Sequence, residues 1–105
     1  VMAGAILNPF VKVGNHSIIN TGASLDHDVL VDDFVHIAPH CTLCGGVEVD
    51  EGTWIGAGST VIQGIHIGKN CFIGAGSVVV RDIPDNSLCY GNPARVIKKI
   101  NFKAQ

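Results

Sequence analysis

Histidine is the side chain best suited to moving protons near neutral pH, and two of the five in this chain stand in settings that invite chemistry. His27 lies in Leu25-Asp26-His27-Asp28, flanked by carboxylates that can orient its ring and stabilise an imidazolium. The same run is equally compatible with a charged, solvated corner. His36 sits between Val35 and Ile37; if those two point inward on a strand, the imidazole points outward onto a flat face. There it is either a site residue or simple interface polarity. His16, His40 and His66 have no acidic neighbour in sequence and are read as solvated or interface residues.

The four cysteines, Cys41, Cys44, Cys71 and Cys89, include a formal C-x-x-C at 41–44, which raises zinc or redox chemistry. Their places in the repeat described next argue against convergence. Cys41 and Cys71 fall at a small inward position, Cys44 at a corner and Cys89 beyond the repeat, so core packing is the expected role and no metal is expected.

What must position these residues is a period of six. Val1, Leu7, Val13, Ile19, Leu25, Val31, Ile37, Leu43, Val49, Ile55, Val61, Ile67, Ile73 and Val79 follow one another at that spacing without interruption. Four residues after each comes a small or aliphatic side chain, as in Ala5, Val29, Val35, Cys41, Ser59 and Ser77. The position directly after the aliphatic is often Asn8, Gly14, Asn20, Asp26, Asp32, Asp50, Gly56, Gly68 or Gly74, types that tolerate positive φ, so the sharp corner is expected there. Neither a helix, with its spacing of 3 and 4, nor an irregular meander accommodates such a strict repeat.

Three corners close a triangle, giving coils of 18 residues; the near-copies Ile55-Gly56-Ala57-Gly58-Ser59 and Ile73-Gly74-Ala75-Gly76-Ser77 stand 18 apart. The expected fold is therefore all-β, a single-stranded parallel β-helix of fourteen hexads and nearly five triangular coils over residues 1–83. The proline in Asp82-Ile83-Pro84-Asp85-Asn86 interrupts it, and residues 84–105 are expected to form a C-terminal cap. In this register Gly45 lies one coil above His27, leaving room beside the imidazole for a substrate or thioester.

Bulk properties narrow the partners. A net charge of −2 offers no broad basic surface for nucleic acid or anionic membrane. Four of the seven basic residues, Arg95, Lys98, Lys99 and Lys103, crowd into the last eleven positions, where a small polyanion could bind. No apolar run of transmembrane length and no signal-peptide pattern is present, so a soluble, cytoplasmic protein is expected. The start inside a repeat raises the expectation of something upstream, and a core this modest favours self-association.

The stretch Ile19-Asn20-Thr21-Gly22-Ala23-Ser24-Leu25-Asp26-His27-Asp28, with Phe34-Val35-His36-Ile37-Ala38-Pro39, resembles the hexapeptide-repeat sugar O- and N-acetyltransferases typified by sialic acid O-acetyltransferase and bacillosamine N-acetyltransferase. The ending Gly91-Asn92-Pro93-Ala94-Arg95-Val96-Ile97-Lys98 resembles the G-x-P-A-[KR] segment near their coenzyme A end. The resemblance implies a left-handed β-helix, a homotrimer with sites between subunits, and acetyl-CoA as cosubstrate. It implies His27 as general base with Asp28 raising its basicity, His36 and Gly45 at the thioester, and Ala57 and Ala75 along the pantetheine arm. Pro93, Ala94, Arg95 and Lys98 would serve the coenzyme, the last two through its phosphates.

Transfer would then be direct: His27 deprotonates an amine or hydroxyl of a small sugar-like acceptor, which attacks the thioester carbonyl. A backbone N–H or His36 would stabilise the oxyanion. The family's usual N-terminal nucleotide-binding domain has no counterpart in these residues, which bears on nucleotide-sugar recognition. Two rival readings share the architecture. A γ-type carbonic anhydrase would need histidines five residues apart, a spacing that His16, His27, His36, His40 and His66 do not supply. A non-catalytic trimeric assembly or binding protein would make the Asp-His-Asp corner coincidental.

Overall fold

A computed structural model describes residue 2 and residues 4–100; Val1 and Lys103 of the readings above lie outside the described residues. Thirteen two-residue strands recur every six residues: β1 (Ile6–Leu7), β2 (Lys12–Val13), β3 (Ile18–Ile19), β4 (Ser24–Leu25), β5 (Leu30–Val31), β6 (His36–Ile37), β7 (Thr42–Leu43), β8 (Glu48–Val49), β9 (Trp54–Ile55), β10 (Thr60–Val61), β11 (His66–Ile67), β12 (Phe72–Ile73) and β13 (Val78–Val79). Two longer strands follow, β14 (Ser87–Gly91) and β15 (Ala94–Lys99).

They form three sheets, the faces of a triangular prism. Sheet I stacks β1-β4-β7-β10-β13, sheet II stacks β2-β5-β8-β11, and sheet III runs β3-β6-β9-β12-β14-β15. Within the repeat all pairings are parallel with an offset of 18, as in Ser24 opposite Thr42 and Thr42 opposite Thr60. Backbone bonds therefore run from coil to coil, for example Ser24 N–H to the Cys41 carbonyl at 2.8 Å and Thr42 N–H to the Ser59 carbonyl at 2.9 Å.

The hexad's aliphatic position supplies the core. Ile19, Ile37, Ile55 and Ile73 make a fully buried column behind sheet III, and Leu25, Leu43, Val61 and Val79 another behind sheet I. Each such side chain withdrawn from water contributes roughly 1.5–3 kcal/mol. Buried hydroxyls at the second inward position close on corner carbonyls: Thr53 Oγ1 donates to Gly68 O at 2.6 Å and Ser59 Oγ to Gly74 O at 3.1 Å. In the first coil Leu7 is still 39% exposed.

The corners differ from the sequence expectation. Positive φ falls two residues later than expected, at Phe10, His16, Gly22, Asp28, Phe34, His40, Gly46, Gly52, Gly58, Gly64, Asn70 and Gly76. The Asn or Asp after the aliphatic acts by hydrogen bonding instead: Asn20 Oδ1 accepts from Thr21 N–H at 2.7 Å and Asp26 Oδ1 from His27 N–H at 2.8 Å. Glycine occurs at that position for space, since a Cβ on Gly56 would stand 2.6 Å from the Ala75 nitrogen of the coil above.

Near Pro84 the coil shortens. The parallel offset drops from 18 to 16, with Ile67 bridging Ile83 and Phe72 opposite Leu88. Strand β14 thus continues sheet III above β12 before β15 folds back on it antiparallel, joined by a turn with a cis Asn92–Pro93 bond.

Candidate active site

The I–II corner carries His27. Asp26 and its neighbours turn the chain between β4 and β5, and Asp28 takes the left-handed conformation with φ 60°. That turn brings the Asp28 carboxylate to 3.2 Å from His27 Nδ1. With Nδ1–H donating to Asp28, Nε2 keeps a lone pair free to accept a proton. Both side chains are open to solvent, 57% and 62% exposed.

One coil above, Gly45 provides the seat for the ring. A Cβ there would lie 2.6 Å from both His27 Cε1 and Nε2, so the imidazole itself fills the space that the missing side chain leaves. The sequence pointed to this juxtaposition but assigned the space to a ligand. Gly46 N–H donates to the His27 carbonyl at 3.0 Å, tying the two turns together.

His36 occupies a different surface, the outward side of sheet III. Its ring lies against Trp54 one coil above, centroids 4.0 Å apart and planes within 10°, and Trp54 in turn stacks on Phe72 at 6.4 Å. Burial lowers the His36 pKa below the ordinary histidine value of 6.5. Ala57 and Ala75 lie at the adjoining III–I corner, one directly above the other, with Gly76 N–H donating to the Ala57 carbonyl at 2.8 Å. In one chain, therefore, His27, Asp28 and Gly45 share one corner, while His36, Ala57 and Ala75 belong to another edge of the prism.

At the C-terminal end Pro93, Ala94 and Arg95 line a cleft of about 270 Å³ together with Arg81 and Asp82. Lys98 stands further along β15, opposite Leu88, outside that lining. Arg81 was missed in sequence although it lies in the turn after β13, three coil lengths along the chain from His27. The Trp54–Phe72 ladder was missed as well; reading outward positions at 18-residue spacing (Ile18, His36, Trp54, Phe72) reveals it. His66 gains an unforeseen partner, Asp50 Oδ2 at 2.9 Å from its Nε2.

The cysteines do not converge. All four are free thiols, and among the described residues no group of three or more His, Cys, Asp or Glu could hold a metal ion. Burial raises the thiol pKa values of Cys41 and Cys71 and pushes that of Cys89 up to about 11, so all three are core residues with thiols held protonated.

Residues 46–81 match the bacterial transferase hexapeptide family, described as six repeats. No curated protein sequence matches the chain. Among solved structures, a mutant of perosamine N-acetyltransferase from Caulobacter crescentus, in complex with CoA and GDP-perosamine, superposes with a TM-score of 0.93 at 43% identity, covering 94% of this chain and 47% of that one. The acetyltransferase domain of PglB from Neisseria gonorrhoeae, in complex with acetyl coenzyme A, gives 0.90 at 40% identity over 91% of this chain and 47% of its own. WeeI from Acinetobacter baumannii gives 0.79 at 28% identity over 90% of this chain and 50% of its own. The chain thus spans about half the length of these relatives. In repeat, fold and sequence it is a hexapeptide-repeat, left-handed β-helix of the kind carried by bacterial sugar acetyltransferases.

Proposed function

We propose that this chain transfers an acetyl group from acetyl-CoA to an amine or hydroxyl of a small sugar-like acceptor, with His27 as general base. The observation that carries the reading is the exposed imidazole held by Asp28 at 3.2 Å and seated on Gly45. Its likeness to two structures at 40% identity or more, one with CoA and GDP-perosamine and one with acetyl coenzyme A, supports the donor and the acceptor class.

In the reaction His27 Nε2 removes the acceptor's proton as the nitrogen or oxygen bonds to the thioester carbonyl carbon. Collapse of the tetrahedral intermediate breaks the C–S bond, and the imidazolium returns the proton to the departing thiolate. His36 Nδ1 or Nε2, or a backbone N–H, serves the oxyanion. Acetyl-CoA would lie along Ala57 and Ala75, where only methyl groups rise from the corner, with its phosphates toward Arg81 and Arg95.

Because the base and the coenzyme track occupy different edges of one chain, the reading requires two copies, the His27 corner of one facing sheet III of the next. The outward row of Ile18, Trp54 and Phe72, all more than a third exposed, supports such packing. A homotrimer places three equivalent sites in this way.

The test is calorimetric titration with acetyl-CoA followed by thiol release across amino sugars and alcohols. Binding that weakens with salt and is reduced about tenfold by Arg81→Ala or Arg95→Ala is expected, together with acceptor-dependent thiol release. No binding at millimolar acetyl-CoA would overturn the reading in favour of an assembly protein.

A further inference from the structure

We propose that Trp54 is the positioning residue for His36, its indole fixing the plane of the imidazole so that only the ring edge, with its two nitrogens, faces a ligand. The claim rests on the reading of His36 as part of the thioester site and names a residue on which that role depends.

An outward histidine on a two-residue strand has little to hold it. The torsion between Cβ and the ring is broad and roughly two-fold, so an unbraced imidazole samples many orientations. Here the ladder supplies a brace. His36 is paired with Ile18 below and Trp54 above. The imidazole and indole lie 4.0 Å apart and within 10° of parallel, a full face contact. Trp54 is held in turn by Phe72 at 6.4 Å and 13°, so three rings from successive coils lie nearly parallel.

The contact also governs protonation. A tryptophan face attracts an imidazolium, but covering the ring removes water from it, and desolvation disfavours the charged form. For His36 the burial effect prevails and its pKa is lowered. The groups that face the ring, Ile18 from β3, Trp54 from β9 and the Asn20 amide at 3.5 Å from Nε2, carry no charge that would reverse it. A neutral, oriented imidazole can donate one N–H to a carbonyl oxygen, which the oxyanion role needs.

Trp54 is the only tryptophan of the chain, so the contact has its own optical signal. Because a protonated imidazole quenches indole, the fluorescence of the full chain is expected to fall as pH drops through the His36 midpoint, and to lose that step in His36→Gln. The decisive variants are Trp54→Leu and Trp54→Phe, read by NMR titration of the His36 ring and by kcat and KM with acetyl-CoA. Trp54→Leu is expected to move the midpoint up toward the ordinary 6.5 and to lower kcat about tenfold at unchanged KM, since an oxyanion donor acts in the transition state, with Trp54→Phe restoring most of both. An unchanged midpoint and kcat in a folded Trp54→Leu protein would overturn the proposal. A midpoint that moves while no variant, wild type included, transfers acetyl groups supports the positioning and contradicts the acetyltransferase reading instead.

Discussion

The I–II corner and the outer side of sheet III hold their histidines in opposite ways. At the corner, His27 is solvent-exposed, polar on one side through Asp28, and seated on bare backbone at Gly45. On sheet III, His36 is sandwiched in an apolar ladder with a ring stacked on its face. The first arrangement suits a base that must reach a mobile acceptor and exchange protons with it. The second suits a fixed donor whose geometry matters more than its basicity. One repeat produces both, because corner positions need turn-forming residues while outward strand positions accept any side chain that packs on the coil above.

Given this contrast, perturbations at the corner are expected to act on chemistry and leave the fold intact. His27→Ala should act most strongly, with a fall in kcat of about 10²–10⁴ and an unchanged circular dichroism spectrum, since positioned general-base help is worth that much. Unfolding of the variant, or retained turnover, would remove His27 from its role.

Gly45→Ala comes next. The added methyl would stand 2.6 Å from the imidazole, so the ring has to move, and a displacement on the order of 1 Å costs about 10²-fold. Gly45 does not have a positive φ, so the melting temperature should stay close to wild type. A crystal structure of the variant with His27 unmoved would break the link between the glycine and the base.

Asp28→Asn is the smallest of the three, about threefold in kcat, because within one chain the pair is largely exposed and an acceptor site open to solvent keeps it screened. A loss as large as that of His27→Ala would mean that the facing copy excludes water from the pair and strengthens the contact.

These particular residues also show what a sequence can and cannot reveal in such a fold. The aliphatic column from Leu7 to Val79 made the prism, its 18-residue coil and the His27–Gly45 juxtaposition legible, because the period alone decides which residues stack. The corner conformation was misplaced by two residues: Asn20 and Asp26 are turn formers through their side-chain oxygens, whereas Phe10, Phe34 and His40 take positive φ because the repeat imposes it on them. The His66–Asp50 contact spans 16 residues, crossing from a strand to the corner of the preceding coil, a diagonal that same-column reading does not capture. Arg81 was legible in principle, but the turn that holds it is two residues shorter than the repeat predicts, and the cleft it shares with Arg95 depends on how β15 folds back.

On the proposed reading, one site draws His27 from one copy and the coenzyme track from another. Its most direct test is complementation between two disabled chains, His27→Ala and Ala57→Trp, co-expressed so that mixed oligomers form and are verified by native mass spectrometry. Each parent should be inactive alone, and the mixture should regain a fraction of wild-type turnover, since some interfaces then combine an intact His27 with an unobstructed track. Mixed oligomers as inactive as their parents, while the wild-type chain turns over, would contradict the shared site.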